Sequence, residues 1–166
     1  MAITITRDGY GVVEPNHLSA PRDGRVYGQL PAADTIKELQ NGMFVKYNYA
    51  EGVCSFTGDG PWMLVFNEEK LYDERFQMHK HYHMVPGDFY DGKMYPRVLG
   101  IVTGDIFTTN MFAIGTTLSV GNKVAPGEDG VLALANDNTK GVVFQVVKEY
   151  TMPDGQPGVK LQCIQV

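Results

Sequence analysis

Two apolar runs joined by a short polar turn decide how this chain is read. They are Gly141-Val-Val-Phe-Gln-Val-Val-Lys-Glu-Tyr150 and Gly158-Val-Lys-Leu-Gln-Cys-Ile-Gln-Val166, with Met152-Pro-Asp-Gly-Gln-Pro157 between them. Pro fixes one turn position and Gly supplies positive φ at another, so Pro-Asp-Gly between β-rich runs predicts a hairpin. Within the first run Val142, Phe144 and Val146 alternate, while Val143 and Val147 fill the opposite face. That pattern predicts a strand covered on both sides, as in a barrel or sandwich.

Working outward, the rest of the chain is also strand and turn. Met43–Tyr47 and Gly52–Phe56 flank a turn at Asn48–Glu51, and Trp62–Phe66 follows the turn cluster Gly58-Asp-Gly-Pro61. Further short strands are expected at Arg75–Met84, Arg97–Thr103, Thr117–Val120, Lys123–Ala125 and Val131–Leu134. The last two flank Pro126-Gly-Glu-Asp-Gly130. The clearest helix signal is Asp34–Gly42, with Asp34 as cap, Ile36 and Leu39 three apart and Gly42 as a left-handed stop. A second helical turn is expected at Asn67–Asp73. Gly11–Ala33 shows no periodicity, and only Ile3 and Ile5 alternate before it. The expected fold class is therefore all-β: a small barrel or sandwich (41–166) with an extended N-terminal arm and one short helix (1–40).

Composition narrows function. At 166 residues the chain buries a core without staples. Nineteen acidic against 14 basic residues give a net charge of −5, which argues against a nucleic-acid partner. No apolar run is long enough for a membrane helix, so no membrane association is expected. Two cysteines, Cys54 and Cys163, lie among apolar residues and read as free core thiols.

One constellation carries potential chemistry: His79-Lys-His81-Tyr-His83. On a strand the three imidazoles share one side, and imidazole is a common metal ligand. At about 3.3 Å per residue the outer two lie roughly 13 Å apart, so one metal takes two of them and needs a ligand from elsewhere. His17, Asp88 and Asp91 are candidates for that ligand. The alternative is that a half-buried strand simply places its polar residues on this face, since the other face is apolar. His81-Tyr-His83 also shares two residues with the motif of the cupins, metal-binding β-barrel enzymes. Here Met-Val-Pro-Gly-Asp follows without the glutamate of that motif, and no later histidine occurs. Cys54 as a nucleophile, Glu128-Asp129 and Asn136-Asp-Asn138 as cation loops, and a glycan site among Tyr82, Phe89, Tyr90 and Tyr95 are weaker readings. Core packing and ordinary turns explain most of them.

Four segments resemble phage head decoration (cement) proteins: Asn41–Tyr47, Gly104-Asp-Ile-Phe-Thr-Thr-Asn110, Leu118–Val131 with its Val-Gly-Asn-Lys-Val and Gly turn, and the closing hairpin Phe144–Cys163. The resemblance spans roughly the last three quarters of the chain, and its motifs are turns rather than catalytic residues. It implies a non-enzymatic structural protein of the virion, without cofactor, made in the host cytoplasm and placed on the capsid exterior. The partner would be the major capsid protein of a phage head, and the chain would form a homo-oligomer such as a trimer. In that setting Ile3, Ile5 and Tyr10 of the arm are the candidate capsid-binding residues, Ile3 and Ile5 adding a strand to an exposed sheet edge. The histidine row has no role in such a protein unless a metal sits at a subunit interface.

Overall fold

The computed structural model describes residues 1–67, 82–88 and 90–166. In chain order these form β1 (Ala2–Thr4), β2 (Val13–His17), α1 (Ala20–Asp23), β3 (Val26–Tyr27), β4 (Phe44–Asn48), β5 (Val53–Ser55) and β6 (Trp62–Val65). Then follow β7 (Val98–Gly100), β8 (Ile106–Thr109), β9 (Thr117–Ser119), β10 (Lys123–Pro126), β11 (Leu132–Leu134), β12 (Val143–Thr151) and β13 (Pro157–Gln165). The fold is all-β, with one short α-helix and a 3-10 turn at Pro86–Asp88 among the described residues.

The terminal hairpin forms as its turn residues require. β12 and β13 pair antiparallel from Thr151↔Pro157 back to Val143↔Gln165, with two bulges. Around it grows a six-stranded sheet in the order β11-β10-β12-β13-β8-β2. A second, five-stranded sheet runs β3-β7-β6-β4-β5, and β1 and β9 make a separate ribbon. Among the described residues each large sheet ends in edge strands, so the architecture is a sandwich and no closed barrel forms. Pro15 sits in the edge strand β2, where a missing N–H costs no ladder bond, and the β2–β8 register shifts beside it.

Alternation along the strands sets the layers. Phe44, Leu64 and Leu99 of the five-stranded sheet meet Phe107, Phe144, Val146, Val159 and Leu161 of the six-stranded one in the main core. The reverse face of the five-stranded sheet presents Val45, Met63, Val65 and Val98 to a second core, closed by Ile36, Leu39, Met84, Met94 and Met111.

Two expectations need correction. No helix forms over 34–42. Leu39 and Met84 exchange both backbone bonds (3.0 and 2.8 Å), which removes the groups an α-turn would use, while Ile36 and Leu39 still reach the second core. The helix lies instead at Ala20–Asp23, with Pro21 in its first turn and Gly24 closing it at φ +73°. Residues 1–40 run extended, as expected of an arm, but they are woven into the domain rather than lying apart from it. β1 pairs with β9, β2 with β8 and β3 with β7, and Ile5, Val13 and Ala20 join the main core. Those apolar side chains supply the burial that holds the segment down. Most of the strand expected at Arg75–Met84 and of the helical turn at Asn67–Asp73 lies outside the described residues, and Met84 itself makes only an isolated bridge.

Buried polar groups are tied where the N-terminal segment joins the sheets. The Asp105 carboxylate, almost fully buried, accepts from the Ser19 N–H, the Ser19 hydroxyl and the Val102 N–H at 2.6–3.0 Å. Arg25 donates to the same Ser19 hydroxyl at 2.6 Å. The network anchors the start of α1 to the turn that precedes β8.

Candidate functional site

The candidate residues of the N-terminal segment separate in the structure. Ile3 is half-buried in β1 opposite Leu118. Ile5 is fully buried in the main core, so it offers nothing to a partner while the segment is in place. The edge that Ile3 and Ile5 were expected to seek elsewhere is supplied within the chain by β9.

Tyr10 and His83, expected in different roles, come together. Their rings stack at 4.0 Å and 11°. His83 Nδ1 lies 3.6 Å from Glu38 Oε2, and the other Glu38 oxygen accepts from the Gln40 amide. Gln40 Oε1 in turn accepts from the Gly11 N–H at 2.9 Å. Arg7 donates to the Phe112 carbonyl at 2.9 Å, and its Nε is buried with no partner among the described residues. Burial lowers the Arg7 pKa and the nearby Glu38 charge opposes that shift, so the guanidinium stays cationic. The arrangement is a polar seam that laces the N-terminal segment to the loop before β4 and to residue 83. It supplies one imidazole and one carboxylate, two donors where a metal centre wants three or four.

His79 and His81 lie outside the described residues. Among the described ones, no group of three or more His, Cys, Asp or Glu is placed to hold a metal ion. The other candidates serve local structure. His17 is paired with Ile106 in the β2–β8 ladder. Asp88 accepts from the Val85 N–H at 3.0 Å. Asp91 accepts from the Lys93 N–H and the Tyr95 hydroxyl, which hold its carboxyl below the usual range. Asn136 and Asp129 close their own turns, and Asp137 pairs with Lys123 at 2.8 Å. Tyr90 is fully exposed.

The cysteines are core residues. Burial pushes the Cys54 thiol up to about 12 and the Cys163 thiol up to about 11. A thiol so placed has almost no thiolate at neutral pH and is a poor nucleophile. The folded protein is therefore expected to resist iodoacetamide at pH 8, with both thiols labelling only after urea unfolding. Rapid labelling of Cys54 in the native state, read by intact mass, would contradict its burial.

One feature escaped the sequence reading: the free side of β11. Facing away from β10, the Gly130 carbonyl accepts from Phe44 N–H at 2.8 Å and the Leu132 N–H donates to Met111 O at 3.3 Å. By the alternation of a strand, Leu134 points its N–H and C=O outward next. Its side chain is 59% exposed, and Ile114, two residues beyond the Phe112–Leu132 bridge as Leu134 is, is 68% exposed. Among the described residues the six-stranded sheet thus ends in an edge that Phe112 bridges at Leu132 and that is open and apolar at Leu134. Val131–Leu134 reads as a strand in the sequence, but nothing local says that it is the last one in its sheet.

Compared with known proteins, the chain matches no family model, no curated protein and no solved structure.

Proposed function

We propose that the chain is a non-enzymatic structural protein of a phage virion that binds the assembled capsid shell and stabilises it, as a homo-oligomer such as a trimer on the capsid exterior. The observation that supports this reading is that the four segments behind the resemblance meet in space. Gly104–Asn110 supplies β8, Leu118–Val131 supplies the β9–β10 region and its glycine turn, and Phe144–Cys163 supplies most of the β12–β13 hairpin. Asn41–Tyr47 is stitched to them through the Phe44 N–H and the Gly130 carbonyl. Motifs that look like scattered turns therefore supply β8, β10, β12 and β13 of the six-stranded sheet, β9 of the ribbon and β4 of the facing sheet, and among the described residues the six-stranded sheet ends in the edge at Leu134.

The work such a protein does is mass action. A ligand that binds only the assembled shell stabilises it by about 2.7 kcal/mol per site at a hundred times its Kd. Many equivalent sites on one shell, engaged by an oligomer, add avidity. The partner is the major capsid protein, and the edge at Leu134 and Ile114 is where a strand of it would add.

The test is sedimentation with heads of the parent phage that lack this protein. Saturable co-sedimentation at a fixed number of copies per capsomer is expected, and Leu134→Asp should weaken it at least about tenfold, or about 1.4 kcal/mol. Protein that stays in the supernatant at micromolar concentration would overturn the reading.

A further inference from the structure

A cleft at one end of the sandwich, between the two sheets, has no part in the capsid reading. It encloses about 280 Å³ and is lined by Lys46, Gly60, Trp62, Ile101, Lys140 and Val142 among others. Lys46 and Trp62 are direct partners across β4 and β6. The Lys46 ammonium sits 4.7 Å from the centre of the Trp62 ring and donates to the Gly58 carbonyl at 3.2 Å. That uses one of its three N–H donors and fixes the charge in place; the stem cannot swing away without losing both contacts. Lys140, exposed, lies in the loop that leads into β12 and lines the cleft from that side. Ile101 and Val142, both buried, add apolar surface.

Two lysines in a lining otherwise made of glycine and apolar residues, with no acidic side chain among the described lining residues, are unusual on a chain of net charge −5. We propose that this cleft binds a small carboxylate carried on a single six-membered ring. The carboxylate bridges Lys46 and Lys140, and the ring lies against Trp62, Ile101 and Val142. The volume falls just under the roughly 300–1,000 Å³ of sites for drug-sized ligands, so it takes one ring and not a chain of them. Two sources offer that chemistry, a sugar acid and an aromatic acid. The inference is independent of capsid binding, and either can fail alone.

Trp62 is the single tryptophan of the chain, so its fluorescence reports on this cleft alone. The full-length protein is titrated with glucuronate and with benzoate, and in parallel with their neutral counterparts glucose and benzyl alcohol. A saturable change with a carboxylate and none with its neutral counterpart is expected. Response to glucuronate alone assigns a sugar acid, and to benzoate alone an aromatic acid. Lys140→Ala, at an exposed position that leaves folding intact, should weaken the binding about tenfold. No response to either carboxylate up to about 10 mM, equal response to the neutral compounds, or unchanged affinity in Lys140→Ala would overturn the proposal.

Discussion

Phe144→Ala is expected to lower folding stability by about 3–5 kcal/mol, the range for removing a fully buried phenylalanine. The ring is completely inaccessible and lies at the meeting of the two sheets. It packs edge-on against Phe107 at 5.2 Å and tilted against Phe44 at 5.5 Å. Phe107 belongs to β8 of the same sheet and Phe44 to β4 of the other, so both neighbours are held by ladders that cannot slide into the space left behind. The hole therefore stays open, and the loss falls toward the upper end of the range. Against a total of about 5–15 kcal/mol for an ordinary domain, that is a large share. At roughly 2–4 °C per kcal/mol for a chain of this size, the Tm should drop by about 10 °C. Urea unfolding followed by far-UV circular dichroism checks the value. Ile164→Ala, at an exposed site late in β13, is the control and should stay within about 0.5 kcal/mol. A loss below about 1 kcal/mol at Phe144 would mean that the two sheets do not share this core.

That trio of rings shows how much of the fold was legible. Phe44, Phe107 and Phe144 each sit in a segment whose local pattern says strand or turn, and the Pro-Asp-Gly signal correctly closes β12 onto β13. Strand identity is a local property, carried by alternation and by turn chemistry within a few residues. Sheet order is not. Nothing in Val13–His17 announces that it will pair with β8, about ninety residues away, and its proline and asparagine disguise it as a loop. The same limit explains the misplaced helix. Asp34–Gly42 has a cap, an i,i+3 apolar pair and a glycine stop, yet a bridge to Met84 outcompetes the helix because Leu39 gains two backbone bonds there and complete burial. Ser19–Gly24 carries the complementary signature, proline inside the start and glycine past the end, within a stretch so rich in breakers that the signature is easily overlooked. For the candidate site, the sequence offered His83 as a metal ligand or as part of a strand's polar face, and could not name Glu38 or Tyr10 as its neighbours. The cleft at Trp62 was invisible, since one of its lysines stands on β4 and the other in the loop before β12, nearly a hundred residues apart.

Gly130→Ala should cost about 2–5 kcal/mol, far more than an alanine at a surface turn ordinarily does, and the excess tests how the two sheets are joined. Gly130 has φ +75°, a conformation that costs an L-residue about 1–2 kcal/mol. That penalty is shared with Gly141, at φ +82° with open space around the position of a Cβ. Gly141→Ala therefore measures the backbone penalty alone. At Gly130 a Cβ would also lie 2.3 Å from the Phe44 carbonyl oxygen and 2.7 Å from the Phe56 ring. The ring can turn aside; the carbonyl belongs to β4 and cannot move without breaking the adjacent Phe44 N–H to Gly130 bond of 2.8 Å. Overpacking of this kind adds about 1–3 kcal/mol to the shared term. The difference between the two variants, read from paired urea midpoints, isolates the contact between the β10–β11 turn and the five-stranded sheet. Because β11 leads directly to Leu134, Gly130→Ala should also weaken co-sedimentation with capsids under conditions where the variant is still folded, whereas Gly141→Ala should not. Equal costs for the two glycines would show that the turn does not rest on β4, and the open edge would then lack the rigid backing that strand addition requires.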